Sequence, residues 1–264
     1  MSPVALDPEE SVRAELDGAT LYDISYASSG GGRVSGWMVV PASEGPHAGI
    51  VYVHGSETDR DDFLDEATAL ATGGAVTLTL NAPFARTGDD RTGTLGNYFS
   101  PDAEADLNQQ MLDDVSDAID LLAARDDVDA ARLGVVGHDF GGMIAAVEAA
   151  DEDRLKALVI VAATPRWADW FLPFWDIAED RIDYLRAMRP LDPIELIGRA
   201  VPATVLFQFG RSDFFMAAMS GLEFRAAAPA GTELLPYDTG HDMRSPEIAA
   251  DRRAFLVRTL GLRA

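Results

Sequence analysis

The residues best suited to chemistry in this 264-residue chain each follow a short apolar run, and they come in an informative order. Residues 133–143 read LGVVGHDFGGM, an apolar run into Gly137-His138-Asp139-Phe140-Gly141-Gly142 and then the start of a helical pattern. Glycines on both sides of Asp139 suit a strand that turns into a helix within a few residues, where the backbone crowds its neighbours. The head of such a helix directs N–H groups at Asp139 and favours negative charge there. His54-Gly55 closes an earlier apolar run. Asp213 follows 203–209 in FQFGRSDFF, and His241 follows 232–237 in YDTGHDM. The chain has only 4 histidines, so one placed after its last apolar run reads as functional.

A carboxylate has narrow uses as a nucleophile. Attack on an ester carbonyl yields a reactive mixed anhydride, whereas attack on a saturated carbon with a good leaving group yields an ordinary ester. Asp139 therefore points to a small, largely apolar substrate with an electrophilic carbon, an alkyl halide or an epoxide. In a second step His241, oriented by Asp213, takes a proton from water, and that water attacks the Asp139 ester. The backbone N–H groups of Ser56 and Phe140 are expected to receive the oxyanion. The scheme needs no cofactor and no metal. Two alternatives stand beside it: an esterase or lactonase, and a catalytically inactive small-molecule binding protein that has kept only the pocket.

The elements that must hold these residues alternate between strand and helix. Segments 20–28 and 33–41 alternate apolar and polar residues around a Ser-Gly-Gly-Gly turn and predict an antiparallel hairpin. Runs at 47–54 and 75–80 predict strands buried on both faces, and 132–137, 157–162, 203–209 and 232–237 give four further strand signals. Helical spacing is expected at 61–71, 103–124, 142–150, 178–188, 194–200, 214–227 and 246–260. An antiparallel start followed by βα units predicts an α/β fold, with a mostly parallel sheet of about eight strands and helices on both faces. The whole of 1–264 reads as one domain with a lid insertion at about 165–200. That stretch contains WADWFLPFW, so Trp167, Trp170, Phe171, Phe174 and Trp175 are expected to wall the pocket, with Tyr184 beyond them. His54 and Tyr98 are further candidates for substrate contact.

Composition narrows the partners. With 44 acidic against 21 basic residues the net charge is −23, a field that repels nucleic acid and anionic lipid. A small-molecule substrate is the expected partner, with no nucleic acid and no membrane. The acidic first residues lack an apolar core of the signal type, so a cytoplasmic location is expected. With no cysteine, thiolate catalysis and disulfides are excluded. Nothing in the pattern reports oligomeric state.

The order of nucleophile, acid and histidine resembles that of the α/β-hydrolases. The likeness runs from the hairpin to the terminal helix. The general layout resembles the dienelactone hydrolase-like branch, through the His54-Gly55 loop and the acidic turn of Asp126, Asp127 and Asp129. The Gly137-His138-Asp139 elbow resembles epoxide hydrolases and haloalkane dehalogenases, which use aspartate nucleophiles. That resemblance implies a covalent intermediate on Asp139, with leaving-group donors in the lid: an indole N–H for a halide, or tyrosines such as Tyr184 and Tyr98 for an epoxide oxygen. Phe140 stands where dehalogenases commonly carry tryptophan.

Overall fold

A computed structural model of the chain describes residues 5–91, 101–173 and 181–263. Its centre is a nine-stranded sheet: β1 (Glu9–Leu16), β2 (Ala19–Ala27), β3 (Arg33–Pro41), β4 (His47–Val53), β5 (Ala75–Leu80), β6 (Val128–His138), β7 (Leu155–Val161), β8 (Thr204–Gly210) and β9 (Glu233–Tyr237). The spatial order is β1-β2-β3-β5-β4-β6-β7-β8-β9. The pairs from β1 to β5 are antiparallel, and all pairs from β5 to β9 are parallel. This is the α/β-hydrolase arrangement. One more strand is present than the sequence pattern predicts. The extra one is β1, whose EESVRAEL is almost wholly exposed at the sheet edge, so no buried face imprints an alternation on it.

Each central strand feeds two cores, because alternate residues point to opposite faces. In β4, Val51 and Val53 join the cluster under helices α2 (Pro101–Ala123) and α3 (Phe140–Glu148). Ile50 and Tyr52 join the cluster on the other face with Phe255, Leu256 and Leu260 of α8 (Pro246–Leu260), on the same side as α1 (Leu64–Thr72). Every residue of β4 and β5 is buried, as both-face coverage requires. Burying that much apolar surface at about 25 cal/mol per Å² is what holds the strand ends rigid.

Between β7 and β8 the chain forms α4 (Trp167–Phe171), α5 (Arg181–Met188) and the short α6 (Pro193–Leu196). This is the region read as a lid. A further helix, α7 (Ala218–Ala227), precedes β9. Phe174, Trp175 and Tyr98 lie outside the described residues. Among the described residues, no helix is long and apolar enough to cross a membrane.

Candidate active site

The C-terminal ends of four parallel strands bring the site together. β6 runs into Asp139, whose φ of 52° and ψ of −119° put a non-glycine residue in a strained turn at the head of α3. Two glycines make the turn possible. A Cβ on Gly137 would overlap the Gly141 carbonyl, and one on Gly141 would overlap the Val53 carbonyl of β4. The Asp139 N–H donates to Val161 O of β7 at 2.9 Å, tying the elbow to the next strand.

The loops after β8 and β9 are fastened to each other, with Arg211 N–H donating to Tyr237 O at 2.8 Å and Ser212 N–H to Thr239 O at 3.1 Å. They carry Asp213 and His241. Asp213 Oδ1 accepts from the N–H groups of Phe215 (2.8 Å) and Met216 (2.9 Å), which locks its fully buried side chain. Its Oδ2 lies 2.8 Å from His241 Nδ1, and His241 Nε2 lies 3.3 Å from Asp139 Oδ1. A single imidazole thus bridges two carboxylates.

Both oxygens of Asp139 are engaged. Oδ2 accepts from the Ser56 N–H at 2.9 Å and from the Ser56 hydroxyl at 2.5 Å. Oδ1 accepts from the indole N–H of Trp170 at 2.7 Å. Phe140, next in the chain, packs its buried ring edge-on to Phe84 at 5.4 Å and Trp167 at 5.6 Å. The charges follow from this geometry. Burial pushes the Asp139 carboxyl up, but the hydrogen bond and positive charge of His241, with help from His138 and Ser56, outweigh it and hold the group well below the usual carboxylate range. Burial likewise pushes His241 down, and its bonds and charge attraction to Asp139 and Asp213 overcome this, raising it to about 10. Both shifts favour a charged imidazole facing an ionised Asp139.

Several candidates take other places. His54 is buried; its Nδ1 lies 2.6 Å from Gly55 O, and its Nε2 accepts from Ala82 N–H at 2.9 Å. With both ring nitrogens held by backbone, His54 braces the Ser56 loop, a correction to its expected part in substrate contact. Trp167 donates its indole N–H to Leu191 O at 2.8 Å, which leaves it a wall and not a donor. Tyr184 on α5 is buried and donates to Glu104 Oε1 at 2.9 Å.

Other residues at the site escape sequence reasoning. The Ser56 hydroxyl is one. His138 is another: its Nε2 lies 2.9 Å from His241 O, and its Nδ1 lies 3.8 Å from Asp62, which is paired with Arg244 at 2.6 Å. This row holds the His241 loop against the elbow. The clue to His138 was its place beside Asp139 in the motif. Asp62 carried none. Behind this row opens a polar cleft of about 1020 Å³, lined by His138, Asp62, Arg244 and Phe84 among others.

Comparison with known proteins places this geometry. The sequence matches the acetyl xylan esterase (AXE1) family over residues 4–187. The chain belongs to that family. Members of the α/β-hydrolase superfamily usually carry serine at the elbow, so in this acetyl xylan esterase-family protein Asp139 stands in an esterase frame. Among solved structures, the acetyl xylan esterase from Paenibacillus sp. R4 superposes with a TM-score of 0.81 at 19% identity, covering 96% of this chain and 89% of that one. A Klebsiella pneumoniae protein assigned as a dienelactone hydrolase gives 0.64 at 20% identity, covering 98% of this chain and 99% of that one. At such identities these neighbours speak for the fold. A curated relative, the uncharacterized peptidase YuxL of Bacillus subtilis, is 24% identical over 205 residues, 72% of this chain. The chain spans only 30% of that relative's length. By family and fold the protein is an α/β-hydrolase-fold member of the acetyl xylan esterase family.

Proposed function

We propose that the protein hydrolyses small, largely apolar carboxylic esters or lactones, with Asp139 as the attacking group and His241 as the proton carrier assisted by Asp213. The observation that carries this reading is the placing of His241, with Nδ1 2.8 Å from Asp213 and Nε2 3.3 Å from Asp139, an arrangement that raises the imidazole above its usual range and favours its charged form. The resting site therefore offers a proton to a departing oxygen. An alkoxide, whether it leaves an ester or comes from an opened epoxide, needs that proton, and a halide does not. The indoles agree, since the N–H of Trp167 is committed to Leu191 O and that of Trp170 to Asp139. Membership of an esterase family supports the same choice and makes acetyl esters the first substrates to try.

In the first step Asp139 Oδ1 attacks the acyl carbon while His241 passes its proton to the leaving alcohol. An acyl-aspartyl anhydride results, and the reactivity that counts against ester substrates from the sequence alone here speeds its hydrolysis in the second step. Acylation removes the negative charge that kept His241 protonated, so the imidazole becomes a base when one is needed. It takes a proton from water, which attacks the acyl group and releases the product acid and the Asp139 carboxylate. The indole N–H of Trp170, which donates to Oδ1 in the resting site, is the donor offered to the oxyanion.

A second reading has an observation of its own. Asp139 Oδ2 rests on the Ser56 N–H and hydroxyl, where an oxyanion forms if water attacks Asp139 itself. That suits an alkyl-aspartyl ester formed from an epoxide or alkyl halide. One experiment separates the two: wild type and Asp139→Ala are assayed on short esters, lactones, epoxides and chloroalkanes, with turnover in ¹⁸O-water. Ester hydrolysis with label only in the product acid supports the first reading. Label in Asp139 supports the second. Equal activity in Asp139→Ala refutes both, and ligand binding with no turnover leaves a binding protein.

A further inference from the structure

The loop that delivers His241 is strained and tethered on both sides of the strain. Between β9 and α8 the chain passes through Met243, whose φ of 50° is a left-handed conformation that non-glycine residues rarely adopt. Such a residue persists only where its surroundings hold it, and the buried Met243 side chain packs in the core beneath α8. Both tethers lead to Asp62, in the loop before α1, whose side chain is buried. Asp62 Oδ1 accepts from Arg244 Nη2 at 2.6 Å, one residue after the strained position. Asp62 Oδ2 accepts from the Thr58 hydroxyl at 3.2 Å and lies 3.8 Å from Nδ1 of His138. The Nε2 of His138 lies 2.9 Å from the backbone carbonyl of His241, two residues before Met243. A carbonyl only accepts, so this nitrogen carries the hydrogen and donates it. Burial pushes the Asp62 carboxyl up, but His138 and Arg244 outweigh it and hold the group below its usual range. The two tethers are unequal. The Arg244 side chain is 63% exposed, so water screens its ion pair, whereas the arm through His138 is buried.

We propose that His138 and Asp62 are positioning residues for His241: the N–H of His138 fixes the His241 backbone, and through it the distance from the imidazole to Asp139. The proposal deepens the reading above and rests on the proton-carrier role given there to His241. Asp213 holds Nδ1 of that ring at 2.8 Å, but one bond orients a ring without fixing how far its other edge reaches. The other edge matters, because Nε2 stands 3.3 Å from Asp139 Oδ1, at the long end of hydrogen-bonding range. A displacement of about 1 Å in a catalytic group can cost about a hundred-fold in rate. His138 is well placed to prevent one. It precedes Asp139 in the chain, so its bond ties the His241 backbone to the nucleophile's own backbone by the shortest route. Gly55 makes room for the ring, since a Cβ there would come within 3.0 Å of His138 Nδ1. Asp62 then backs the ring from behind and grips the far end of the same loop through Arg244.

The test compares wild type with His138→Leu, which removes the donor, and His138→Gln, whose amide N–H reaches about as far as Nε2 of the histidine. Two quantities are read on folded protein: kcat and KM for p-nitrophenyl acetate, and the titration of His241 by ring ¹⁵N shifts. In His138→Leu, kcat is expected to fall about ten-fold or more with KM changed by less than about three-fold. His241 is expected to titrate about one pKa unit lower, the Coulomb attraction lost at an effective dielectric of about 20 when the gap to Asp139 widens by about 1 Å. Any positive charge lost with His138 would move His241 the other way, so a fall reports displacement. His138→Gln is expected to recover most of both quantities. The clamp is overturned if His138→Leu keeps kcat within two-fold and the His241 titration within half a unit of wild type, whatever happens to Tm, or if Leu and Gln lose equally. Asp62→Asn, expected to lose about three-fold in kcat at unchanged KM, decides the matter where His138→Leu does not fold, and wild-type kcat there overturns the clamp. Should wild type turn over no ester while His241 still falls in His138→Leu and recovers in His138→Gln, the clamp stands and the ester reading falls.

Discussion

Replacing Asp139 with asparagine removes one charge from the site and little else, and its effect on His241 can be worked from the structure. His241 Nε2 lies 3.3 Å from Asp139 Oδ1. Coulomb's law at that distance, with an effective dielectric of about 20, gives about 5 kcal/mol, or between about 3 and 4 pKa units. That is a ceiling. A floor comes from the total rise, from 6.5 to about 10, which two carboxylates achieve against a burial penalty that works the other way. An equal share assigns Asp139 about 2 units or more of it. His241 in Asp139→Asn should therefore titrate about 2 to 4 units lower than in wild type. Ring ¹⁵N shifts followed against pH measure this directly, with the His241 signals identified by their loss in His241→Gln. A raised histidine pKa stabilises the fold fully below 6.5 and loses that contribution as pH rises through about 10. Wild type should accordingly lose thermal stability over that window, and the variant less. A His241 that titrates within half a unit of wild type would show the two groups uncoupled, and acylation could not then release the base.

The lid indoles should separate cleanly. Trp170→Phe removes the donor on Asp139 Oδ1 and should lower kcat about ten-fold, roughly 1.4 kcal/mol of barrier, whereas Trp167→Phe should cost about 1 kcal/mol of stability in urea unfolding through its lost bond to Leu191 O. Gly137→Ala should cost on the order of 3 kcal/mol or more, since its Cβ would meet the Gly141 carbonyl in a backbone packed too closely to move; wild-type stability in that variant would refute the account of the elbow. Glu66→Gln should destabilise the fold by about 3–5 kcal/mol, because it leaves the buried Arg252 guanidinium without the carboxylate that now accepts three of its bonds. Denaturant titration measures that loss, and activity per folded molecule should be kept.

What the sequence discloses and what it hides follow physical lines. Strands buried on both faces and the terminal helix 246–260 are legible, because burial forces apolar residues into them. β1 is not, since its exposed residues are free to be polar. Asp139, Asp213 and His241 stand out because glycine-bearing turns follow apolar runs in a recognisable order. The distinction between Trp167 and Trp170 does not, as both sit in one dense aromatic stretch and only the three-dimensional path shows which indole meets a carboxylate. His54 misleads for a related reason. A histidine at the end of a buried strand looks poised for substrate, yet the loop after β5 closes over it and its nitrogens serve the backbone. Glu104 and Asn108 lie in a helix whose apolar stripe is plain, and a sequence pattern does not reveal that a polar position on it is buried.

The aspartate reverses the order in which the histidine must work, and that reversal can be tested by pH alone. In a serine triad the histidine starts neutral, takes the proton of the serine and then gives it to the leaving group. Asp139 carries no proton to take, so His241 must arrive at the first step already charged. Two carboxylates around one imidazole secure this, whereas the neutral hydroxyl of a serine would remove half of that support. The free enzyme's profile, read in kcat/KM, should therefore stay flat through neutrality and fall as pH rises through about 10, where His241 loses its proton. No acidic limb should appear near 7, because Asp139 remains ionised far below that. Asp139→Ser, if it keeps activity, should show the opposite: a rising limb near neutrality, as a base-first histidine requires. Background hydrolysis is subtracted at each pH. A wild-type profile that rises through 7 would mean that His241 acts first as a base, and the acid-first route would be lost with it.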